Sequence, residues 1–297
     1  MSAVLAKSAS SVIPLLPGLS LLRTAERGAL AFFVYVAVLG LLNPVSWPQE
    51  ISLALSPILL YATWAIESRT SRPWSRVGRD WAALPLILMA YWSLEWFRPA
   101  PHYVWQSEWV ALDRKLLGPL GLRSLIEIAG PVFPFLLETL YLLLYTLPIL
   151  ALGLLYALDS RSRVDRYLAI LFAGTFVAYA LLPHFSVRSP RLTFPGTDLP
   201  AFGSIPRSIN TWLLDHFDIS TSAFPSGHVA VAFSSAFGLF TVFRKRRAIW
   251  LTAFIVASLI YVATIYARYH YAVDGLASIS ISFIAWRCVE YWSSREA

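Results

Sequence analysis

Eight stretches of nearly uninterrupted apolar residues divide the chain, each about as long as a helix needs to cross the hydrocarbon core of a bilayer. They run approximately over 29–45, 50–66, 81–97, 133–157, 167–183, 225–243, 249–267 and 271–290. Polar connections separate them, and the longest, about forty residues, ends where Ala223-Phe224-Pro225-Ser226-Gly227-His228 meets the apolar run VAVAFSSAFGLFTVF. The second stretch contains Pro57, which lipid-embedded helices tolerate better than soluble ones. The pattern predicts an all-α, polytopic membrane helix bundle with about eight transmembrane helices. Ahead of it, residues 1–28 hold Lys7, Arg23 and Arg27 around a short apolar patch broken by Pro14 and Pro17. No small-residue cleavage site follows that patch, so the segment reads as a cytoplasmic interfacial arm rather than a signal peptide.

Composition agrees with the pattern. Of 297 residues, 57% are hydrophobic and only 14% charged, and the mean hydropathy is +0.60, well beyond what a soluble domain needs. The single cysteine, Cys288, excludes a disulfide framework and a cysteine-based metal site. The net charge of +7 raises the question of nucleic acid, which the distribution of the charge answers. With a cytoplasmic N-terminus, the inward segments carry most of the 24 Lys and Arg, including Arg69, Arg72, Arg76 and Arg79, then Arg161, Arg163 and Arg166, then the run Arg244 to Arg247. Short-loop basic bias of this kind orients membrane proteins, so the charge is topological and no nucleic-acid partner is expected.

The minority of outward cations is where candidate chemistry lies. Arg188, Arg191 and Arg207 share the long outer loop, and Arg268 sits at the outer end of the seventh stretch. Three polar clusters thus reach one membrane face: LLPHFSVRSPRLTF with His184, PSGH with His228, and YARYHYAVDG with His270 and Asp274. His184 and the arginines have ordinary interfacial readings, since such side chains snorkel to the headgroups. A His and an Asp four residues apart share a helix face, and an ionisable pair entering a membrane helix is costly without a role. Backbone amides at a helix start bind phosphate oxygens, and Ser226 and Gly227 in PSGH form a candidate phosphate cradle, Gly227 allowing close approach. A histidine held by an aspartate can attack phosphorus, which suits His270 with Asp274. A second histidine, His228, can protonate the departing alkoxide, and Arg191 can neutralise the phosphoryl oxygens. That chemistry needs no metal and no other cofactor, and too few carboxylates are present for a magnesium site.

PSGH followed after one helical hairpin by His-x-x-x-Asp resembles the type 2 phosphatidic acid phosphatase superfamily over roughly residues 133–290. That family's motifs are Lys-x6-Arg-Pro, Pro-Ser-Gly-His and Ser-Arg-x5-His-x3-Asp. The second is matched letter for letter at Pro225 to His228, and the third in His270 and Asp274. By resemblance His270 is the nucleophile, Asp274 its orienter, and His228 the acid and later base. The first motif departs, with His184 for lysine and the order Ser189-Pro190-Arg191; in the third, Ala263-Thr264 replaces Ser-Arg, leaving Arg268 or Arg188 to bind phosphate. This relaxed pattern, together with Tyr-x-x-His-Tyr-x-x-Asp and the segment Trp109 to Asp113 with Leu117-Gly118, is similar to the inositol phosphorylceramide synthase-like branch, whose members transfer a headgroup phosphate to an alcohol.

The resemblance implies membrane helices over 29–132 with an amphipathic outer loop, a six-helix-type phosphatase core over 133–291 and a cytoplasmic tail over 292–297. It implies a lipid phosphatase or phosphotransferase working through a phosphohistidine at the extracytoplasmic face of the plasma (inner) membrane, on a lipid phosphate and with water or an alcohol as acceptor. A non-catalytic lipid-binding or transport protein that keeps the fold is the alternative, and a haloperoxidase a weaker one. The loop over 192–222, with Asp198, Asp215, His216 and Asp218, binds the acceptor, forms a lid or is ordinary surface.

Overall fold

The computed structural model describes residues 22–43, 47–70, 72–97 and 105–296; most of the expected interfacial arm lies outside them. Helix α1 (Thr24–Leu42) is started by polar groups from two directions. Glu26 accepts from the backbone N–H of Arg23 at 2.9 Å, and Asp165, far along the chain, accepts from the amides of Thr24 and Ala25 at 3.1 and 3.0 Å. These are first-turn donors that have no partner inside their own helix. Helices α2 (Trp47–Thr70), α3 (Pro73–Ala82) and α4 (Pro85–Ser93) follow, and α4 runs into a 3-10 turn over Leu94–Phe97. Both α3 and α4 begin on proline, which is pre-set for the first helical turn and lacks the amide left unpaired there. On the far side lie α5 (Gln106–Leu117) and α6 (Leu122–Glu127), joined through Gly121 at φ +75°.

The remaining chain forms the packed bundle. Helix α7 (Val132–Leu143) passes through a 3-10 turn into α8 (Leu147–Ala157), making one span, and α9 (Val164–Leu181) returns. The short α10 (Pro190–Thr193) and the amphipathic α11 (Ile205–Phe217) lie in the connection before α12 (Gly227–Val242), α13 (Arg247–Tyr266) and α14 (Ala272–Glu296). Helices α9, α12 and α14 pack mutually, with α13 against α12 and α1 against α9. Small residues let the backbones approach, as membrane packing requires. A Cβ at Gly174 would lie 2.0 Å from Ser234 Oγ, so α9 and α12 meet where no side chain fits. Serines stitch α12 to α14: Ser234 donates to Ser282 at 3.1 Å, and Ser278 donates to the Ser226 carbonyl at 2.8 Å.

The fold is all-α, as predicted, but five helices rather than eight are themselves long and apolar enough to span a bilayer among the described residues. These are Thr24–Leu42, Val132–Ala157, Arg161–His184, Arg247–Tyr266 and Ala272–Arg295, with Gly227–Val242 shorter. The 50–66 stretch extends into a helix that also carries Glu67 and Arg69. The 81–97 stretch is divided ahead of Pro85, where the proline removes a backbone donor.

Alternating helix directions give the bundle two unlike ends. One gathers the starts of α1, α9 and α13. Several of its arginines are paired rather than free: Arg79 contacts Glu26 and Glu67, both at 2.5 Å, Arg23 contacts Asp80, Arg161 reaches Asp80 at 3.0 Å, and Arg166 and Arg244 share Glu290 at 2.7 and 2.8 Å. The other end gathers the starts of α12 and α14.

Candidate active site

Backbone hydrogen bonds knit the three outer clusters together at that second end. Val187 and the 221–223 segment form a single parallel bridge, the Val187 amide donating to Thr221 at 3.2 Å and the Ala223 amide to Val187 at 3.0 Å. The Arg191 amide donates to the Arg268 carbonyl at 3.0 Å, and the Ser226 amide to the Asp274 carbonyl at 3.2 Å. Each of the three sequence clusters is therefore fixed to another by main chain, independent of side-chain identity.

His228 stands on the first turn of α12 and His270 in the turn leading into α14, and their rings meet. His228 Nδ1 lies 3.1 Å from His270 Nε2, and His270 Nδ1 lies 2.9 Å from the Ala223 carbonyl. A carbonyl only accepts, so His270 carries a proton on Nδ1, and in its neutral form the ring presents a bare Nε2. His228 Nδ1 must then be the donor between the rings, and its Nε2 is left to face the Tyr145 hydroxyl at 3.4 Å. The result is a polarised chain, Tyr145 to His228 to His270 to Ala223, in which the nucleophile-type lone pair points at a proton donor.

Asp274 differs from expectation. It is fully buried, but its Oδ2 accepts from the Tyr271 amide at 2.8 Å and lies 3.5 Å from His270 Nδ1, so the Ala223 carbonyl and not the carboxylate takes the shorter bond from His270. Asp274 Oδ1 is buried without a hydrogen-bond partner among the described residues. The i, i+4 spacing assumed that both residues are helical, whereas α14 begins at Ala272 and His270 precedes it.

The expected phosphate cradle has a second purpose. Ser226, fully buried, is the N-cap of α12 and accepts from the Val229 amide at 3.3 Å. A Cβ on Gly227 would lie 2.7 Å from Tyr179 Cε1, so glycine is required there by the packed tyrosine ring as well as by any anion. With Val229 satisfied by Ser226, the amides of Gly227 and His228 remain as first-turn donors without an intrahelical partner.

The four other sequence candidates divide. Arg191 is tied by its amide to the Arg268 carbonyl at 3.0 Å, and its side chain is held by Asp215 at 2.5 Å, a partner on α11. Arg268, only 1% exposed and at φ +67°, is bound to Asp113 of α5 at 2.7 Å, and its Nε and Nη2 have no partner among the described residues. Burial pushes the Asp113 carboxyl up, against the opposing pull of the Ala272 amide, 2.9 Å away, and of Arg268. Arg188 has a buried Nε without a partner among the described residues, and its carbonyl accepts from Gln106 of α5 at 3.0 Å. His184 is not brought to the two histidines by any contact; its Nε2 meets the Tyr35 hydroxyl of α1 at 3.0 Å.

The structure also adds residues that the motifs do not contain. Tyr141 and Tyr145 flank His228 with ring centroids at 5.2 and 5.9 Å, and Tyr141 packs at a tilt against Tyr269 with centroids 4.6 Å apart. Tyr269 in turn donates to Glu138 at 2.8 Å, which also binds Asn210 at 2.8 Å and Arg207 at 3.0 Å, clasping α11 to α7 beside the site. In an apolar sequence run, Tyr141 and Tyr145 are indistinguishable from core or interfacial aromatics. Asp218 lies within electrostatic reach of His270 and Arg191, and burial pushes its carboxyl up.

A polytopic α-helical bundle that brings two touching histidines, a buried aspartate and an arginine to one end of its helices defines a membrane-embedded protein with the equipment for phosphoryl chemistry. Comparison with known families matches residues 109–288 to the PAP2 superfamily, and the chain belongs to that superfamily. PAP2 superfamily members are phosphatases, and membership points to phosphatase or phosphotransferase chemistry on lipid phosphates. The match begins in α5, so it takes in Asp113 and the outer helices ahead of α7. Comparison with curated proteins and with solved structures gives no match.

Proposed function

We propose that the protein is a metal-independent lipid phosphatase or phosphotransferase that works through a phosphohistidine on His270. One observation carries this reading: His270 Nε2 lies 3.1 Å from His228 Nδ1 while His270 Nδ1 is held by the Ala223 carbonyl, with Arg191 tied by its amide to the Arg268 carbonyl two residues before His270. The substrate phosphoester lies at the membrane interface with its tails in the bilayer. His270 Nε2 attacks phosphorus while His228 Nδ1 gives its proton to the departing alkoxide, and the two rings separate to admit the phosphoryl group. Arg191 and the amides of Gly227 and His228 neutralise the phosphoryl oxygens; to do so Arg191 exchanges Asp215 for substrate. Asp274, 3.5 Å from the imidazole, stabilises the positive charge that the ring acquires, while the Ala223 carbonyl fixes its tautomer. In the second half His228 takes the proton of the acceptor.

The catalytic unit includes α5 as well as the core from α7 to α14, because Asp113 braces Arg268 from outside. The basic run Arg244 to Arg247 lies at the opposite end of α12 from His228, so on the positive-inside rule the site faces the extracytoplasmic side of the plasma (inner) membrane. The altered first and third motifs favour the inositol phosphorylceramide synthase-like branch, and with it transfer to an alcohol over simple hydrolysis.

Thin-layer analysis of labelled lipid phosphates incubated with the purified protein, with and without added alcohols, tests the reading. Wild-type protein should convert a lipid phosphate, and His270→Ala should abolish conversion while retaining lipid binding. Conversion undiminished in His270→Ala would overturn it, and binding without conversion by the wild type would establish the lipid-binding alternative.

A further inference from the structure

Pro148 interrupts the span formed by α7 and α8. A proline lacks the amide donor and its ring crowds the carbonyl four residues earlier, that of Leu144, and there the chain tightens into the 3-10 turn Leu144–Thr146. Tyr141 and Tyr145 would share one face of a straight helix; across this turn their rings stand edge to face at 85°, with centroids 6.5 Å apart. His228 of α12 fits against both. The fully buried Tyr141 ring tilts over it at 5.2 Å, and the Tyr145 ring meets it edge-on at 5.9 Å and 88°, with the hydroxyl oxygen 3.4 Å from His228 Nε2. On the opposite edge, Nδ1 of the same imidazole lies 3.1 Å from His270 Nε2. Both nitrogens of His228 therefore have a partner, and one of those partners lies outside the sequence motifs.

The duty of His228 sets a condition on that partner. A neutral imidazole that gave up its only N–H proton would be left an imidazolate, so the ring that protonates a departing alkoxide must be the imidazolium, with a donor on each nitrogen. An anionic phosphate beside the ring favours that form. His228 Nε2 is then a bare acceptor in the resting chain of contacts and an N–H donor during turnover. A carbonyl or carboxylate could serve only the second state, and an amide N–H only the first. A hydroxyl serves both by rotating: its O–H donates to the bare nitrogen, and its lone pairs accept from the protonated one. The 3.4 Å separation is long for such a bond, as catalytic contacts often are before substrate tightens them.

We propose that Tyr145 is the positioning residue of the general acid, its hydroxyl holding the His228 ring through both protonation states so that Nδ1 stays aimed at the leaving oxygen. This rests on the phosphohistidine reading above. In the first step the bond from His270 Nε2 to phosphorus forms as the bond from phosphorus to the leaving oxygen breaks. The bond pair goes to that oxygen, which takes the Nδ1 proton of the His228 imidazolium, the ring having taken its second proton from solvent as the phosphate bound. His228 is left neutral, with its Nε2 proton donated to the Tyr145 oxygen and a bare Nδ1 ready to take the proton of the acceptor in the second half. Tyr145 neither gains nor loses a proton over the cycle. Without its hydroxyl the ring is free to turn or to carry its single proton on the wrong nitrogen, and the acid is present but misaimed.

Tyr145→Phe removes the hydroxyl and keeps the ring, and the test compares leaving groups with the full-length protein in detergent micelles. The leaving group of dioleoylphosphatidic acid is an alkoxide that needs the acid, whereas that of p-nitrophenyl phosphate is a phenolate that does not. Wild type should turn over both. Tyr145→Phe should lower kcat on dioleoylphosphatidic acid about 10–100-fold, the loss expected for one hydrogen bond to a charged group, with KM within about threefold of wild type, and should lower kcat on p-nitrophenyl phosphate less than about threefold. Added to His228→Ala it should cause no further loss on the lipid, since the ring it positions is gone. Equal losses on the two esters, a loss confined to KM, a loss that multiplies with that of His228→Ala, or undiminished kcat on the lipid would each overturn the proposal and leave the phosphohistidine reading standing. Absence of turnover by the wild type on both esters, or undiminished turnover by His270→Ala, removes that reading and the proposal with it.

Discussion

Both ring nitrogens of His270 are engaged before any substrate arrives, one by the Ala223 carbonyl and one by His228, so the two histidines have unequal duties. A general acid contributes when the leaving group is a poor one. His228→Ala should therefore slow cleavage of an alkyl lipid phosphate by about 10²–10⁴-fold, and of a p-nitrophenyl ester, whose leaving group departs unprotonated, by less than about tenfold. Parallel kcat measurements on the two esters check this, and equal losses on both would exclude His228 as the acid. Gly227 is a different kind of residue, set by space. With Tyr179 Cε1 2.7 Å from where its Cβ would lie, Gly227→Ala should cost about 1–3 kcal/mol as the start of α12 shifts, seen as a lowered Tm in detergent. Much of this scale was legible in the sequence: PSGH and the His-x-x-x-Asp spacing placed three polar side chains on one end of the bundle. The bond from His270 to Ala223 was not, because no side-chain pattern encodes a main-chain acceptor. The packing of Tyr179 against Gly227 was hidden for a similar reason, since contact between residues so far apart leaves no local signal.

At the level of elements, α5 and α11 act as braces that hydropathy alone describes only as outer loop. Asp113 of α5 is fully buried, holds Arg268 at 2.7 Å and accepts from the Ala272 amide at the start of α14. Removing one member of a buried ion pair strands the other, so Asp113→Ala should cost about 3–5 kcal/mol, and pairing it with Arg268→Met should restore much of the loss. Thermal unfolding of the single and double variants in detergent decides between this and independent roles, for which the losses would simply add. On the other side of the site, α11 reaches α7 through Glu138 and reaches Arg191 through Asp215. Hydropathy predicted the bundle helices because an apolar run of about twenty residues has one stable disposition in a bilayer. Five of the eight runs form helices long and apolar enough to span among the described residues, while the 81–97 run is divided ahead of Pro85 and the 50–66 run continues into a helix that carries Glu67. Hydropathy missed the braces because their stabilising contacts are polar and distant in sequence.

For the molecule as a whole, a bundle with the basic run Arg244 to Arg247 at one end and the touching histidines His228 and His270 at the other has two chemically unlike faces. A cysteine introduced in the loop over 192–222 should react with an impermeant maleimide from outside intact cells, and one placed within 244–247 only after the cells are opened; the opposite pattern would reverse the orientation. The central claim is that phosphorus passes through His270, and trapping the intermediate tests it most directly. Protein mixed with a ³²P-labelled lipid phosphate and denatured in alkali within the first turnover should carry an acid-labile, alkali-stable label on the peptide containing His270, with no such label in His270→Ala. Turnover by the wild type with no labelled histidine under those conditions, or with the label on a residue other than His270, would contradict the account.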